Sequence, residues 1–255
     1  MIACYAAGDG LGHLTRLRSV LHTLGLDGPV TVVTASPYAA DPRVTGGWRI
    51  VSSLDVADAD EVIIDAFPAG LKGDLARIPP GPRVTHLARL LRWDAYQPLL
   101  PAVPPRFDRT FVLEPLAPAH AAYLDTVSEQ VTPLTLTDPP SEPLDVYGWL
   151  IVHSGPDAET LELVAYARDT AVVEGVRPPM TLVSPHKPDG LPPGVAYLDA
   201  YPAGLPGPNV ERIVTAAGFN AVRQFAPWRG IHRVLPFPRS FDDQFARAAR
   251  VTREG

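Results

Sequence analysis

The residues best suited to do chemistry lie in the first turn of the chain. A short apolar run, Ile2-Ala3-Cys4-Tyr5-Ala6-Ala7, breaks into Gly8-Asp9-Gly10-Leu11-Gly12-His13. Three glycines in five positions let the backbone turn sharply and pass close to a ligand. The run reads as a strand and the segment after the glycines as a helix, with Leu14, Leu17, Leu21 and Leu24 on one face. Arg16, Arg18 and His22 fall largely on the other face, and the helix is expected to stop at Gly25. His13 therefore belongs near a helix N-terminus at the carboxyl edge of a sheet, where open α/β sheets bind ligands. An imidazole titrates near neutrality, so it can accept or release a proton there.

A second constellation suits an anion. Ala217-Gly218-Phe219-Asn220 leads into a helix whose first N–H groups and dipole offer a site for a diphosphate. Ser154 and Gly155, in the turn after an earlier strand, add further donors, and Arg223 and Arg239 add positive charge. The plainer reading is that Gly218 and Asn220 only cap a helix. Two common nucleotide signatures are excluded. A dinucleotide fingerprint needs glycine where His13 stands and an acid ending the second strand, which closes instead on Thr34-Ala35-Ser36. No Gly-Lys-Ser/Thr ending exists for a phosphate-binding P-loop. The remaining histidines, His86, His120, His153, His186 and His232, show no metal-ligand spacing and are expected mostly in loops or on the surface.

The elements that must hold these groups alternate. Strands are expected at residues 29–36, 48–51, 61–67, 83–88 and 109–114, separated by helical or proline-rich connections. Asp65 falls at the end of one of them. Residues 137–143, Thr-Asp-Pro-Pro-Ser-Glu-Pro, read as a linker. A new strand at 149–153 then restarts the pattern of strand, glycine turn and helix, with Asp157 as the expected N-cap. Further strands are expected at 179–184, 195–198, 212–215 and 230–236, and a closing helix comes after Asp242, read as its cap. This predicts an α/β fold of two Rossmann-like domains, residues 1–140 and 141–255, facing each other across a cleft.

Composition bounds the partners. The 255 residues are 46% hydrophobic and 20% charged, ample for a globular core. A net charge of −6 argues against broad nucleic-acid binding. The 30 prolines are spread through connections, which favours rigid loops over long helices. The single cysteine, Cys4, falls inside the first strand and reads as a small buried apolar residue in a reducing compartment. No signal peptide and no apolar run of membrane-spanning length is read, so a cytoplasmic location is expected.

Three motifs carry a resemblance. Gly10-Leu11-Gly12-His13-Leu14-Thr15-Arg16 resembles the Gly-x-Gly-His-x-x-Arg loop of GT-B glycosyltransferases, the group that includes the lipid II-forming N-acetylglucosaminyltransferase and many antibiotic-decorating enzymes. Ala217-Gly218-Phe219-Asn220-Ala221-Val222-Arg223-Gln224, followed by Leu235-Pro236 and Asp243-Gln244-Phe245-Ala246-Arg247-Ala248, resembles their later motifs in order and spacing. The resemblance implies a transferase of hexosyl or N-acetylhexosaminyl groups that uses a nucleotide-diphosphate sugar as co-substrate, with no cofactor and no metal. His13 becomes the candidate base and Asp65 its orienting partner or an acceptor contact. Gly10, Gly12, Ser154, Gly155, Ala217, Gly218, Phe219, Asn220, Arg223 and Gln224 fall on the donor side, and Asp243 with Gln244 on the sugar hydroxyls. The first domain would take an unidentified acceptor and the second the donor. The family's ribose-binding Glu is Gln224 here, which loses one acceptor and the negative charge. A nucleotide-sugar hydrolase on the same scaffold and a non-catalytic nucleotide-sugar-binding protein are the competing readings.

Overall fold

The structure, a computed structural model, describes every residue except 55–57, 76–77, 79 and 255. It divides into two compact units, residues 1–139 with 240–243, and residues 140–239 with 244–255.

In the first unit the strands are β1 (Ile2–Tyr5), β2 (Val30–Val33), β3 (Arg49–Val51), β4 (Glu61–Asp65), β5 (Arg83–Ala88), β6 (Arg109–Val112) and β7 (Val131–Pro133). Helices α1 (Leu11–Leu24), α2 (Pro42–Thr45), α3 (Trp93–Tyr96) and α4 (Pro118–Val127) lie in the connections. The sheet runs β3-β2-β1-β4-β5-β6-β7 with every pairing parallel. β1 and β4 are buried along their whole length, which explains why both read as almost continuous apolar runs. Tyr5, Val62, Ile64, Phe107 and Leu124 are among the residues that pack the core beside them. The strand order reverses between β1 and β4, the switch point outside whose carboxyl ends open α/β sheets bind ligands.

Helix α1 begins at Leu11, earlier than the apolar periodicity suggests, because Gly10 in extended conformation already serves as its N-cap. It ends at Gly25 with φ of 59°, a left-handed position that glycine adopts without a side-chain clash. His13 is thus the third helical residue. β7 escapes sequence reading because it is short and ends in Pro133, a residue confined to sheet edges by its missing N–H.

The second unit contains β8 (Gly148–Val152), α5 (Asp157–Val173), β9 (Met180–Val183), β10 (Val195–Leu198), β11 (Val210–Ala216), α6 (Phe219–Gln224), β12 (His232–Leu235) and α7 (Gln244–Glu254). Its sheet, β10-β9-β8-β11-β12, is parallel throughout and reverses order between β8 and β11. Trp149, Ile151, Leu163, Leu182 and Val214 pack against one another in its core. The protein is therefore an α/β fold of two Rossmann-like units. One expected cap differs. Pro156 occupies the N-cap of α5, and Asp157, the first helical residue, binds His186 Nε2 at 2.5 Å instead. The carboxylate of Asp242 pairs with Arg89, and α7 starts only at Gln244.

Candidate active site

His13 and Asp65 meet at the reversal point of the first unit. His13 comes from the first turn of α1, reached from β1 by the glycine loop, and Asp65 is the last residue of β4. Asp65 Oδ2 lies 2.6 Å from His13 Nδ1. The same carboxylate is gripped by Arg16, with Nε 2.6 Å from Oδ1 and Nη2 2.5 Å from Oδ2. Asp65 and Arg16 are almost wholly buried, at 1% and 3% exposure, while the imidazole keeps 13%. Helical periodicity alone puts Arg16 on the outer face of α1. It lies three residues after His13, however, and i,i+3 positions share a face, so both side chains reach one carboxylate.

Burial alone would push the Asp65 carboxyl up, but the Arg16 charge and the His13 and Arg16 hydrogen bonds outweigh it and hold the group well below the usual carboxylate range. An ionised Asp65 only accepts, so Nδ1 carries the imidazole proton and Nε2 keeps its lone pair. Burial lowers the His13 pKa, opposed by the bond to Asp65 and its charge and reinforced by Arg16 and Arg89. The imidazole is thus neutral at pH 7 and ready to accept a proton on Nε2.

The backbone beside this pair is strained. Phe67 N donates to Asp65 O at 2.8 Å across Ala66, whose φ is 66°. A non-glycine residue at positive φ carries a steric cost of the order of 1–3 kcal/mol and persists only where its surroundings fix it. Ala66 N donates to Leu87 O at 3.0 Å, and His86 Nε2 lies 3.4 Å from Ala66 O. The loop beyond is pinned by Tyr96, whose hydroxyl donates to Gly70 O at 2.7 Å and accepts from Ala69 N at 3.0 Å. The turn aims the Phe67 ring at His13, with centroids 5.9 Å apart, and Arg89 lies 5.8 Å from the centre of the same ring. Gly8 packs directly on the imidazole: a Cβ there would sit 2.3 Å from Nε2.

In the second unit, Ser154 and Gly155 come after β8, and Ala217 to Asn220 lead out of β11, so both turns flank the second reversal point. Gly218 is the extended N-cap of α6, with Phe219 buried and Asn220 and Arg223 half-buried behind it. The two later motifs are tied together, since Arg247 Nη1 donates to Ala217 O at 2.9 Å and Gln244 Oε1 accepts from Phe237 N at 3.0 Å. Gln224 Nε2 donates to Ala203 O at 2.7 Å, a bond that a glutamate could not make. Asp243 stands immediately before α7, in the short segment that belongs to the first unit, whereas Gln244 belongs to the second.

A further cluster has no signature in the sequence. Arg239 binds both oxygens of Glu159, Nη1 to Oε1 at 2.6 Å and Nη2 to Oε2 at 2.5 Å, and His153 Nε2 lies 3.2 Å from Oε2. His153 is buried, as are His86, His120 and His232, contrary to the expectation of loop or surface histidines. All four lie in or beside secondary-structure elements rich in apolar residues, where an imidazole packs as a flat ring. Among the described residues no group of three or more His, Cys, Asp or Glu is arranged to hold a metal ion. No helix among them is long and apolar enough to cross a membrane.

No protein-family model matches this chain, and no curated protein does. Solved structures do. The glycotransferase of kitacinnamycin is 17% identical, with a TM-score of 0.50 over 98% of this chain and 83% of that one. The glycosyltransferase SnogD from Streptomyces nogalater is 15% identical, with a TM-score of 0.47 over 100% and 94%. At this identity the first likeness speaks to architecture alone, and it shows that the chain shares its two-unit α/β fold with that protein.

Proposed function

We propose that the chain is a glycosyltransferase that moves a sugar from a nucleotide-diphosphate donor to a hydroxyl or amine acceptor, by an inverting, metal-independent displacement. The observation that carries this reading is the ionised Asp65 fixing His13 Nδ1 at 2.6 Å and leaving Nε2 as a base. In the step, the acceptor oxygen or nitrogen forms a bond to the anomeric carbon while Nε2 takes its proton. The bond from that carbon to the diphosphate breaks, and its electron pair leaves on the phosphate oxygen. Asp65 stabilises the imidazolium that forms, and such proton transfer contributes about 10²–10⁴-fold.

The first unit is the acceptor side in this reading and the second the donor side. Backbone N–H groups at Gly218 to Asn220 and at Ser154 and Gly155 hold the diphosphate, with Arg223 adding charge. Asp243 and Gln244 take the sugar hydroxyls, and the transferred group is a hexosyl or N-acetylhexosaminyl unit. A panel of uridine and thymidine diphosphate sugars, offered with and without alcohol and amine acceptors, tests it by release of nucleoside diphosphate. Acceptor-dependent release that is lost in His13→Ala, with donor affinity retained, is expected. Equal release of free sugar without acceptor would make the chain a hydrolase, and full activity in His13→Ala would remove the base.

A further inference from the structure

We propose that the Glu159 carboxylate fills an anion site formed by Arg239 and His153, from which the diphosphate of the donor must displace it. The naming of that anion rests on the transferase reading; the site itself rests on geometry.

Two clusters among the described residues share one make-up, a carboxylate held by one arginine and one histidine. They differ in burial. Asp65 and Arg16 are 1% and 3% exposed, so their pair is a fixed part of the interior. Glu159 and Arg239 keep 21% and 31% exposure, open to a ligand from solvent. Both partners border solvent, so an incoming anion can reach Arg239 and compete with Glu159 for it. The Arg239 fork is matched to two oxygens at 2.6 and 2.5 Å, and a guanidinium fork accepts phosphate oxygens in the same geometry as carboxylate oxygens. Phe237 supports the fork from one side, its ring centre 5.9 Å away, and also packs on His153 at 5.5 Å.

Location points the same way. His153 directly follows β8, Glu159 is the third residue of α5 and Arg239 lies beyond the end of β12, so the cluster stands at the carboxyl edge of the sheet, beside the loop that leaves β8 at the reversal point. Gly155 of that loop passes directly over it: a Cβ there would come within 2.4 Å of His153 Nε2 and 2.9 Å of Glu159 Oε2. The cluster therefore adjoins Ser154 and Gly155, the residues assigned to the diphosphate. A ligand phosphate that reaches this loop meets a carboxylate already seated on the cation it needs.

The test is calorimetric titration of the full chain with inorganic pyrophosphate, and separately with UDP. Glu159→Gln, which keeps the shape and removes the charge, is expected to bind pyrophosphate about tenfold tighter than wild type, a gain of about 1.4 kcal/mol. Glu159→Gln with Arg239→Met should lose that gain. Unchanged or weaker pyrophosphate binding by a folded Glu159→Gln protein would overturn the proposal. Should that variant fail to fold, Glu159→Asp decides: one methylene shorter, it withdraws from the fork and should bind pyrophosphate more tightly than wild type, and affinity no higher than wild type overturns it. Pyrophosphate binding needs no sugar transfer. A tightened site in a protein without transferase activity would sink the function and keep the site, whereas normal transfer with unchanged pyrophosphate affinity would sink the site alone.

Discussion

Both carboxylate oxygens of Asp65 are held by the single guanidinium of Arg16, at 2.6 Å from Nε and 2.5 Å from Nη2. Removing one partner of a buried ion pair leaves the other uncompensated, a loss of about 3–5 kcal/mol. Arg16→Met is therefore expected to be strongly destabilised in urea melts. It also removes the charge that keeps Asp65 ionised against its burial, so the acid limb of the pH–rate profile should move to higher pH. Arg16→Lys keeps the charge without the fork and should fall between the two. A wild-type profile in Arg16→Met would mean that Asp65 does not depend on this arginine.

Gly8 has no room for a side chain, and the atoms in the way belong to the proposed base. A methyl group there would lie 2.2 Å from His13 Cδ2 and 2.3 Å from Nε2. The imidazole must swing to admit it, which breaks the 2.6 Å contact with Asp65. A displacement of about 1 Å at a reacting group costs about 100-fold in rate. Gly8→Ala should lose turnover on that scale while its thermal midpoint moves less than that of Arg16→Met. Equal turnover with and without the methyl would place the proton acceptor elsewhere.

How much of this is legible in the sequence divides along physical lines. Alternation of buried strands and helices announces the two parallel sheets, because a strand covered on both faces must be apolar almost throughout. The glycine loop announces His13 for the same reason that Gly8 is needed: only a backbone without Cβ packs against the ring. What escapes depends on pairing across long separations. Arg16 reads as a surface residue until Asp65, 49 positions away, supplies its partner. Glu159 and Arg239, 80 positions apart, leave no local signal at all. The strained turn at Ala66 is equally silent, since alanine gives no hint of positive φ.

Gln224 stands where the resembling GT-B motif usually has glutamate, and its amide has a donor's role. Nε2 donates to Ala203 O at 2.7 Å. In Gln224→Glu a carboxylate oxygen would face that carbonyl, and two acceptors cannot share a hydrogen bond. The expected loss is about 1–3 kcal/mol. For a unit of roughly 100 residues each kcal/mol corresponds to a fall of about 4 °C or more in Tm. Scanning calorimetry reads this directly, and an unchanged Tm would show that the Ala203 contact contributes nothing.

Acid sensitivity should begin near pH 6.5, well above the carboxylate range. Burial lowers the pKa of His86 to about 4, against the pull of the Ala66 carbonyl and Asp65. It lowers His120 to about 3, with His86 adding to the effect, and His232 to about 4, with Arg229 and Arg233 adding. In the unfolded chain these histidines take up protons near pH 6.5. Between that value and their folded pKa the unfolded state binds more protons, so stability is full above pH 6.5 and is lost as pH falls. Asp65, whose folded pKa is depressed, adds its own loss only at lower pH, as it is protonated. His120 offers the cleanest check, because neither ring nitrogen has a hydrogen-bond partner among the described residues and the ring stacks on Trp93 at 4.3 Å. Phenylalanine keeps that stack and removes the unpaired polar atoms. His120→Phe should be at least as stable as wild type at pH 7.5 and lose less stability by pH 5 in urea melts. The same slope in both proteins would mean that His120 is already protonated, or hydrated, in the folded state.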